Sequence, residues 1–171
     1  DFKSDLRKIF VPKIDTINKS NPLINKIKNV NSISIHIRRN RFSDQTNLSS
    51  SKSRKRSEIF IKDVINYINN SIEFINSKVK NPVYFIWSND HDNIEFLLQK
   101  LKIKNYTLVK QNDVINDFHL FKYCKHFIIG PSSFHWWGAW LNENPDKICI
   151  RPKNLNLSNN ENFWPEEWIE I

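Results

Sequence analysis

Short apolar segments alternate with stretches of helical periodicity along this 171-residue sequence, and this alternation limits its fold more than any other feature. The segments with strand character cover residues 32–38, 83–87, 106–109, 127–129 and 147–150. Helical patterns lie between them, over residues 57–78, from residue 90 through 101, over 115–125, and after residue 132 to about 142. Repeated strand–helix units predict a parallel sheet with helices on both faces, which is an α/β fold of the Rossmann-like type.

The first strand is predicted from strict alternation between Ser32 and Arg38. Isoleucine occupies positions 33, 35 and 37, and these side chains share one face. Ser34, His36 and Arg38 share the other face. Residues two apart on a strand are about 6.5–7 Å apart. We therefore expect His36 and Arg38 to reach one ligand together.

The stretch 130–141 combines turn and helix signals. Gly130-Pro131 is typical of a turn, and Ser132 and Ser133 are residue types that favour helix N-caps before an aromatic helix. A helix N-terminus presents free backbone N–H groups and the positive end of a dipole, so this unit is a candidate anion site. The same pattern also fits a capped helix in the core, and the residues alone leave both interpretations open.

Polar side chains follow three of the predicted strands: Arg38 and Arg39, Ser88 to Asp90, and Ser132 and Ser133. In open parallel sheets, ligands bind at the carboxyl ends of the strands. A guanidinium beside a helix N-terminus suits a pyrophosphate, and Asn89 or Asp90 is suited to accept from a base or a sugar hydroxyl. The alternatives are a solvated arginine pair and an aspartate that caps the next helix.

The net charge of +8 and the sequence pI near 9.5 favour anionic partners. Residues 40–56 are polar, end in the basic run Lys52–Arg56, and are expected to form a mobile loop. That run either closes over a phosphate ligand or is ordinary solvated surface. Glycine occurs only at positions 130 and 138, so the sequence lacks a dinucleotide or P-loop fingerprint.

The two cysteines, Cys124 and Cys149, stand in apolar surroundings without metal-ligand spacing. They are predicted to be buried free thiols of a protein in a reducing compartment. No metal site is predicted, because the histidines form no His/Cys array. Surface or core positions are expected for His91, His119, His126 and His135. No run of about 18 apolar residues is present, so no transmembrane helix is predicted.

Three segments carry a resemblance to a known family. His36-Ile37-Arg38-Arg39 is similar to the His-x-Arg-Arg motif of α-1,2-fucosyltransferases, which form glycosyltransferase family 11. Residues 124–141 resemble the stretch of that family that contains its Ser-Ser/Thr-Phe-x-Trp-Trp block, and residues 85–90 resemble its Phe-x-Ser-Asp-Asp strand end. Residues 145–148 and 165–169 also fit, so the resemblance runs from about residue 32 to residue 171.

The resemblance implies the nucleotide-sugar half of a two-domain, GT-B-like enzyme. The donor would be GDP-fucose and the acceptor a galactose-terminated glycan, joined in α-1,2 linkage by an inverting reaction without metal or other cofactor. Arg38 would hold the diphosphate and stabilise its charge as the fucosyl bond breaks, with Arg39 in support. The other donor-site residues implied are His36, Ser88, Asn89, Asp90, Ser132, Ser133, Phe134, Trp136 and Trp137.

The sequence departs from the family in two places. The family usually continues Arg-Arg-Gly-Asp, whereas Asn40 and Arg41 stand here, so a carboxylate is missing. The family's N-terminal Gly-x-Gly-Asn-Gln segment is also absent. We expect residues 1–31 to form a helical connection or the remnant of an N-terminal half, and residues 32–171 to form the GDP-sugar-binding domain.

Two other functions are compatible with the chain. One is an inactive or diverged sugar-nucleotide-binding domain. The other is a basic nucleic-acid-binding module, which would need basic residues interleaved with aromatics; here the aromatics cluster in apolar segments, so no nucleic-acid partner is predicted. The enzyme is expected in the cytoplasm or peripherally at the cytoplasmic face of a membrane, and a Golgi-type lumen would require an upstream signal anchor.

Overall fold

The computed structural model describes residues 2–10, 22–38, 51–89, 94–110, 114–153, 155 and 160–171. Its strands are β1 (Asn31–Ile37), β2 (Pro82–Ser88), β3 (Tyr106–Leu108), β4 (His126–Ile128), β5 (Cys149–Arg151) and β6 (Ile169–Glu170). Its helices are α1 (Phe2–Ile9), α2 (Pro22–Asn29), α3 (Ser51–Lys78), α4 (Ile94–Leu98), α5 (Val114–Tyr123) and α6 (Ser133–Leu141), with a 3₁₀ turn at Glu161–Phe163.

The six strands form one sheet in the order β3-β2-β1-β4-β5-β6, and every pair is parallel. The chain moves outward from β1 to β3, returns to the other side of β1 as β4, and continues to β6. The point where the direction reverses lies between β1 and β4, and open α/β sheets bind ligands at such a point. The predicted Rossmann-like α/β fold is confirmed.

Each face of the sheet is covered by a separate apolar cluster. The three alternating isoleucines of β1 pack with α3 and α4, and the helical stripe from Val64 to Val79 is buried there as its 3.6-residue spacing predicts. The opposite face packs against α2, α5 and α6. A fully buried isoleucine contributes about 1.5–3 kcal/mol relative to an exposed one. Helices therefore lie on both faces, as predicted.

Helix α3 begins at Ser51, six residues before the predicted start at residue 57, so residues 51–56 are helical rather than part of a loop. The charge and polarity of this basic run favour a solvated loop. Lys and Arg are also good helix formers, however, and they extend an existing helix readily. Residues 40–50, the rest of the predicted loop, lie outside the described part of the chain.

Two further differences from the prediction concern the end of α4 and the last strand of the sheet. Helix α4 ends at Leu98 rather than residue 101, because the chain tightens there: the Lys100 and Leu101 amides donate to carbonyls three residues back. The strand at residues 147–150 is also not the last one. The tail adds β6, which pairs Ile169 with Ile150 and is too short to show a period-two pattern.

The N-terminal part of the chain contributes to the core through α2. Ile24 and Ile27 of this helix are buried in the cluster that includes α5 and α6. The division of the chain at residue 31 stays a prediction. None of the described helices is both long and apolar enough to cross a bilayer.

Candidate functional site

The carboxyl ends of β2, β1 and β4 lie side by side, because these strands are neighbours in the sheet. In the register between β1 and β2, Ile37 is opposite Ser88. In the register between β1 and β4, Ile35 is opposite Ile128. The end of β1 is thus flanked by Ser88 on one side and by the 130–132 turn on the other. Three predicted site segments therefore share one edge of the sheet.

Arg38 is the first residue after β1, at the centre of this edge, and its side chain is partly buried. Its positive charge acts on His36, two residues earlier, and helps to lower the pKa of that imidazole. Ser88 is buried and Asn89 is exposed at the neighbouring strand end. Two other predicted site residues, Arg39 and Asp90, lie outside the described residues, as do Asn40 and Arg41.

The turn after β4 touches the backbone of β1. A Cβ atom placed on Gly130 would stand 2.3 Å from the His36 carbonyl oxygen, so no other residue fits without a backbone shift. Gly130 does not have a positive φ angle, so glycine is required by this close approach and not by conformation. The Ser132 amide donates to the Gly130 carbonyl at 2.7 Å, which closes a tight turn directly before α6.

Ser132 occupies the N-cap position of α6, as predicted, but its side chain makes no capping hydrogen bond. Its extended backbone (φ −145°, ψ 123°) lets its carbonyl accept from the Trp136 amide at 3.0 Å. The first-turn amides of α6 are therefore not capped by this hydroxyl. Ser132 is buried and Ser133 is exposed. This arrangement favours the anion-site interpretation over that of a well-capped core helix.

His36 is held in an aromatic setting as a neutral imidazole. Its ring lies 5.8 Å from Phe121, 6.3 Å from Phe134 and 5.9 Å from His135, measured between ring centroids. Burial, and then the charge of Arg38, lowers its pKa to about 4. Its Nδ1 atom is inaccessible to water and has no hydrogen-bond partner among the described residues. At neutral pH, His36 presents a neutral ring beside the Arg38 cation.

His135 occupies a core position, as the sequence predicted, but it also makes polar contacts that sequence reasoning missed. Its Nε2 lies 2.8 Å from the Ser34 hydroxyl of β1, and its Nδ1 accepts from the Gly130 amide at 3.3 Å. Burial, and then its neighbour His36, holds the pKa of His135 well below 6.5. One signal was available: a serine in an isoleucine-rich strand that is buried on both faces requires a polar partner.

Of the three predicted aromatic site residues, Phe134 lies at the strand-end edge, whereas Trp136 and Trp137 pack elsewhere. The Phe134 ring lies near His36 and 5.2 Å from Phe121, so this residue belongs to the strand-end edge. Trp136 instead stacks on Trp140 at 6.1 Å. It also lines a cleft of about 570 Å³ whose other walls include Arg151, Phe163, Trp164 and Glu166. Trp137 packs against Phe10 at 5.2 Å.

Both thiols are buried and free, as predicted. Burial raises the pKa of Cys149 to about 12 and also raises the pKa of Cys124, so neither is a reactive thiolate near neutral pH. The described residues include no cluster of three or more His, Cys, Asp or Glu side chains that could hold a metal ion.

Residues 4–171 match the model of a known family, described as glycosyl transferase family 11. The chain belongs to this family. The resemblance based on the His-x-Arg-Arg and Trp-Trp motifs is therefore confirmed, and the matched range begins well before residue 32, the predicted start of the resemblance. In this family 11 chain, His36 and Arg38 of the first motif lie at the strand-end edge, together with Ser132 and Phe134 from the start of the second.

Two curated relatives from Escherichia coli are similar to this family 11 chain. An alpha-1,2-colitosyltransferase is 30% identical over 182 residues, which cover 100% of this chain and 58% of the relative. The O-antigen biosynthesis glycosyltransferase WbnK is 29% identical over 148 residues, covering 84% of this chain and 46% of the relative. The chain thus spans about half the length of these relatives. No solved structure matches it.

Proposed function

We propose that this chain is the donor-binding part of an α-1,2-fucosyltransferase. The enzyme transfers fucose from GDP-fucose to a galactose-terminated glycan, with inversion and without a metal ion. The observation that carries the proposal is the strand-end edge of a family 11 chain, where Arg38 follows β1 and the turn that leads into α6 touches the β1 backbone at His36. This pairing of a guanidinium with uncapped helix amides suits a diphosphate.

The chemistry assigned to this edge is leaving-group stabilisation. When the acceptor hydroxyl attacks the anomeric carbon, the bond to GDP breaks and negative charge collects on the diphosphate. Arg38 and the first-turn amides of α6 stabilise that charge, and Arg39 supports them. Preorganised donors of this kind are often the largest single contribution to catalysis. Ser88, Asn89, Asp90 and the neutral His36 seat the guanosine.

A second donor is favoured by one specific observation. One relative is an alpha-1,2-colitosyltransferase, and the alignment with it covers the whole of this chain at 30% identity. The relative's name supports the α-1,2 linkage, and it makes a colitosyl group the alternative to fucosyl. A GDP-linked colitosyl donor would differ from GDP-fucose only in the sugar, so the proposed roles of Arg38 and α6 apply to both.

The proposal is tested by titrating the chain with GDP-fucose, GDP-mannose and UDP-galactose in a calorimeter, without metal. We expect GDP-selective binding that Arg38→Ala weakens by about 10- to 100-fold, because a hydrogen bond to a charged group is worth about 1.5–3 kcal/mol. Lys102→Ala is the matched control. It removes one positive charge from an exposed residue before β3, at the opposite edge of the sheet, and we expect affinity to be unchanged.

Absence of GDP binding in both this chain and the full-length protein would contradict the proposal. Binding without turnover by the full-length protein on a galactose-terminated glycan would favour a silent sugar-nucleotide-binding domain. Loss of turnover on adding EDTA would contradict the metal-independent mechanism. Strongly salt-dependent binding of random oligonucleotides without any effect of GDP would favour a nucleic-acid module.

A further inference from the structure

His135 joins the two sides of the proposed anion site through its two ring nitrogens. Nδ1 accepts the Gly130 amide of the turn, and Nε2 contacts the Ser34 hydroxyl of β1. His135 is itself on α6, the helix whose N-terminus faces the site, and its side chain is fully buried. A single side chain therefore connects helix, turn and strand.

The hydrogen bonds fix which tautomer His135 adopts. The Gly130 amide is a donor, so Nδ1 must be the unprotonated nitrogen and Nε2 must carry the hydrogen. Nε2 then donates to the Ser34 hydroxyl oxygen. A protonated ring would turn a donor toward the donating Gly130 amide and lose that bond. Both nitrogens of the neutral ring are satisfied, which is what a buried imidazole requires.

The two contacts of the His135 ring restrain the distance between β1 and the turn that precedes α6. Ser34 and His36 lie on the same face of β1 by strand alternation, and Arg38 follows directly after the end of the strand. Gly130 is two residues from Ser132, the N-cap of α6. The turn also touches the His36 carbonyl through Gly130, so it has no room to move inward. The His135 bonds supply the complementary restraint that prevents it from moving away.

We propose that His135 is a positioning residue for the anion site, where it sets the distance between Arg38 and the N-terminus of α6 by bonding β1 through Ser34 and the turn through Gly130. The inference deepens the proposed function and rests on it for the identity of the natural ligand. It assigns a role to a buried core histidine that touches no substrate itself.

The test uses the two glycines as reporters. Because the chain contains only Gly130 and Gly138, selective ¹⁵N-glycine labelling gives two backbone amide signals, and Gly138→Ala identifies them. In His135→Phe, which keeps the ring's bulk without its nitrogens, we expect the Gly130 amide to shift and exchange faster while Gly138 changes little. We expect affinity for GDP and for inorganic pyrophosphate to fall by about tenfold or more.

Three further variants separate positioning from general stability. His135→Gln keeps an acceptor and a donor, and we expect it to restore most of the affinity. Ser34→Ala removes only the β1 side and should give an intermediate loss. Ile72→Ala creates a cavity in the cluster on the opposite face, and we expect it to lower the melting temperature without changing affinity while the protein is folded.

Unchanged affinity in a folded His135→Phe, or equal losses in the Gln and Phe variants, would overturn the inference. So would a Gly130 signal that does not respond to His135→Phe. Should both the wild-type chain and the full-length protein bind pyrophosphate but no GDP, the proposed function fails, and the positioning role is still decided by the pyrophosphate affinities of the same variants. Binding of neither probe by either protein would overturn both.

Discussion

Gly130→Ala is expected to damage the fold and the site together, because the added methyl group meets backbone rather than a movable side chain. The new Cβ would stand 2.3 Å from the His36 carbonyl oxygen and 3.4 Å from its carbonyl carbon. The turn and β1 must separate until the first distance exceeds 3.0 Å. Overpacking of this kind costs about 1–3 kcal/mol, and losing the hydrogen bond to His135 adds about 1 kcal/mol.

The other glycine of the chain provides the matched control. A Cβ on Gly138 would lie 3.2 Å from the Phe121 Cβ, so α5 and α6 would have to separate by a few tenths of an ångström to relieve the contact. Gly138 is inside α6, where alanine is favoured over glycine by about 0.8–1.0 kcal/mol. The tight contact and the helix propensity oppose each other, so the free energy of unfolding should change by less than about 1 kcal/mol.

The two substitutions are compared by thermal unfolding and by GDP titration. A loss of about 3 kcal/mol lowers the melting temperature of a domain of this size by about 6–12 °C. We expect that shift, and lost GDP binding, for Gly130→Ala, and wild-type behaviour for Gly138→Ala. Equal melting temperatures for the two variants would refute the steric argument, since the same chemical change would then cost the same at both positions.

Two further predictions concern buried polar groups. The pKa of His36 is about 4 in the folded protein and 6.5 in the unfolded chain. Between these two values the unfolded state binds more protons than the folded state. The free energy of unfolding should therefore fall by about 3 kcal/mol as the pH is lowered from about 6.5 toward 4. Urea unfolding at the two limits checks this, and an equal loss in His36→Phe would contradict the assignment. The Asn142 amide donates to the Lys122 carbonyl at 2.7 Å and to that of Cys124 at 2.9 Å. Asn142→Ala should therefore cost about 1–3 kcal/mol in denaturant titration, with Asn142→Asp at least as damaging because it lacks the donor, and wild-type stability in either variant would count against these bonds.

The features that the sequence predicted are those with a local period. The isoleucine alternation of β1 and the stripe of α3 each repeat within a few residues, so they report strand, helix and buried face directly. Because ligands bind at the carboxyl ends of parallel strands, the sequence also predicted that Arg38, Ser88 and Ser132 share one edge of the sheet, without specifying the strand order. Periodicity gave no signal for β6, because two residues contain no repeat.

The features that the sequence did not predict depend on which strands become neighbours. Ser34 and His135 are 101 positions apart, and their contact exists only because β4 pairs with β1 and returns α6 over the same face. The contact of Gly130 with the His36 carbonyl has the same origin. The separation of Phe134 from Trp136 and Trp137 depends on how α6 is rotated over the sheet, which an aromatic run without clear periodicity does not specify.

The strand order also has a consequence for how the chain assembles. β1 pairs on one side with β2, which follows it after a single helix, and on the other side with β4, which is synthesised only after β3 and α5. Until β4 arrives, the edge of β1 from Ile33 to Ile35 leaves backbone donors and acceptors unpaired, and such an edge is a template for association with other chains. The pairing of β4 with β1 thus completes the anion site and also closes this open edge of the growing sheet. A chain in which β4 fails to pair therefore lacks the anion site and remains prone to aggregate through the edge of β1.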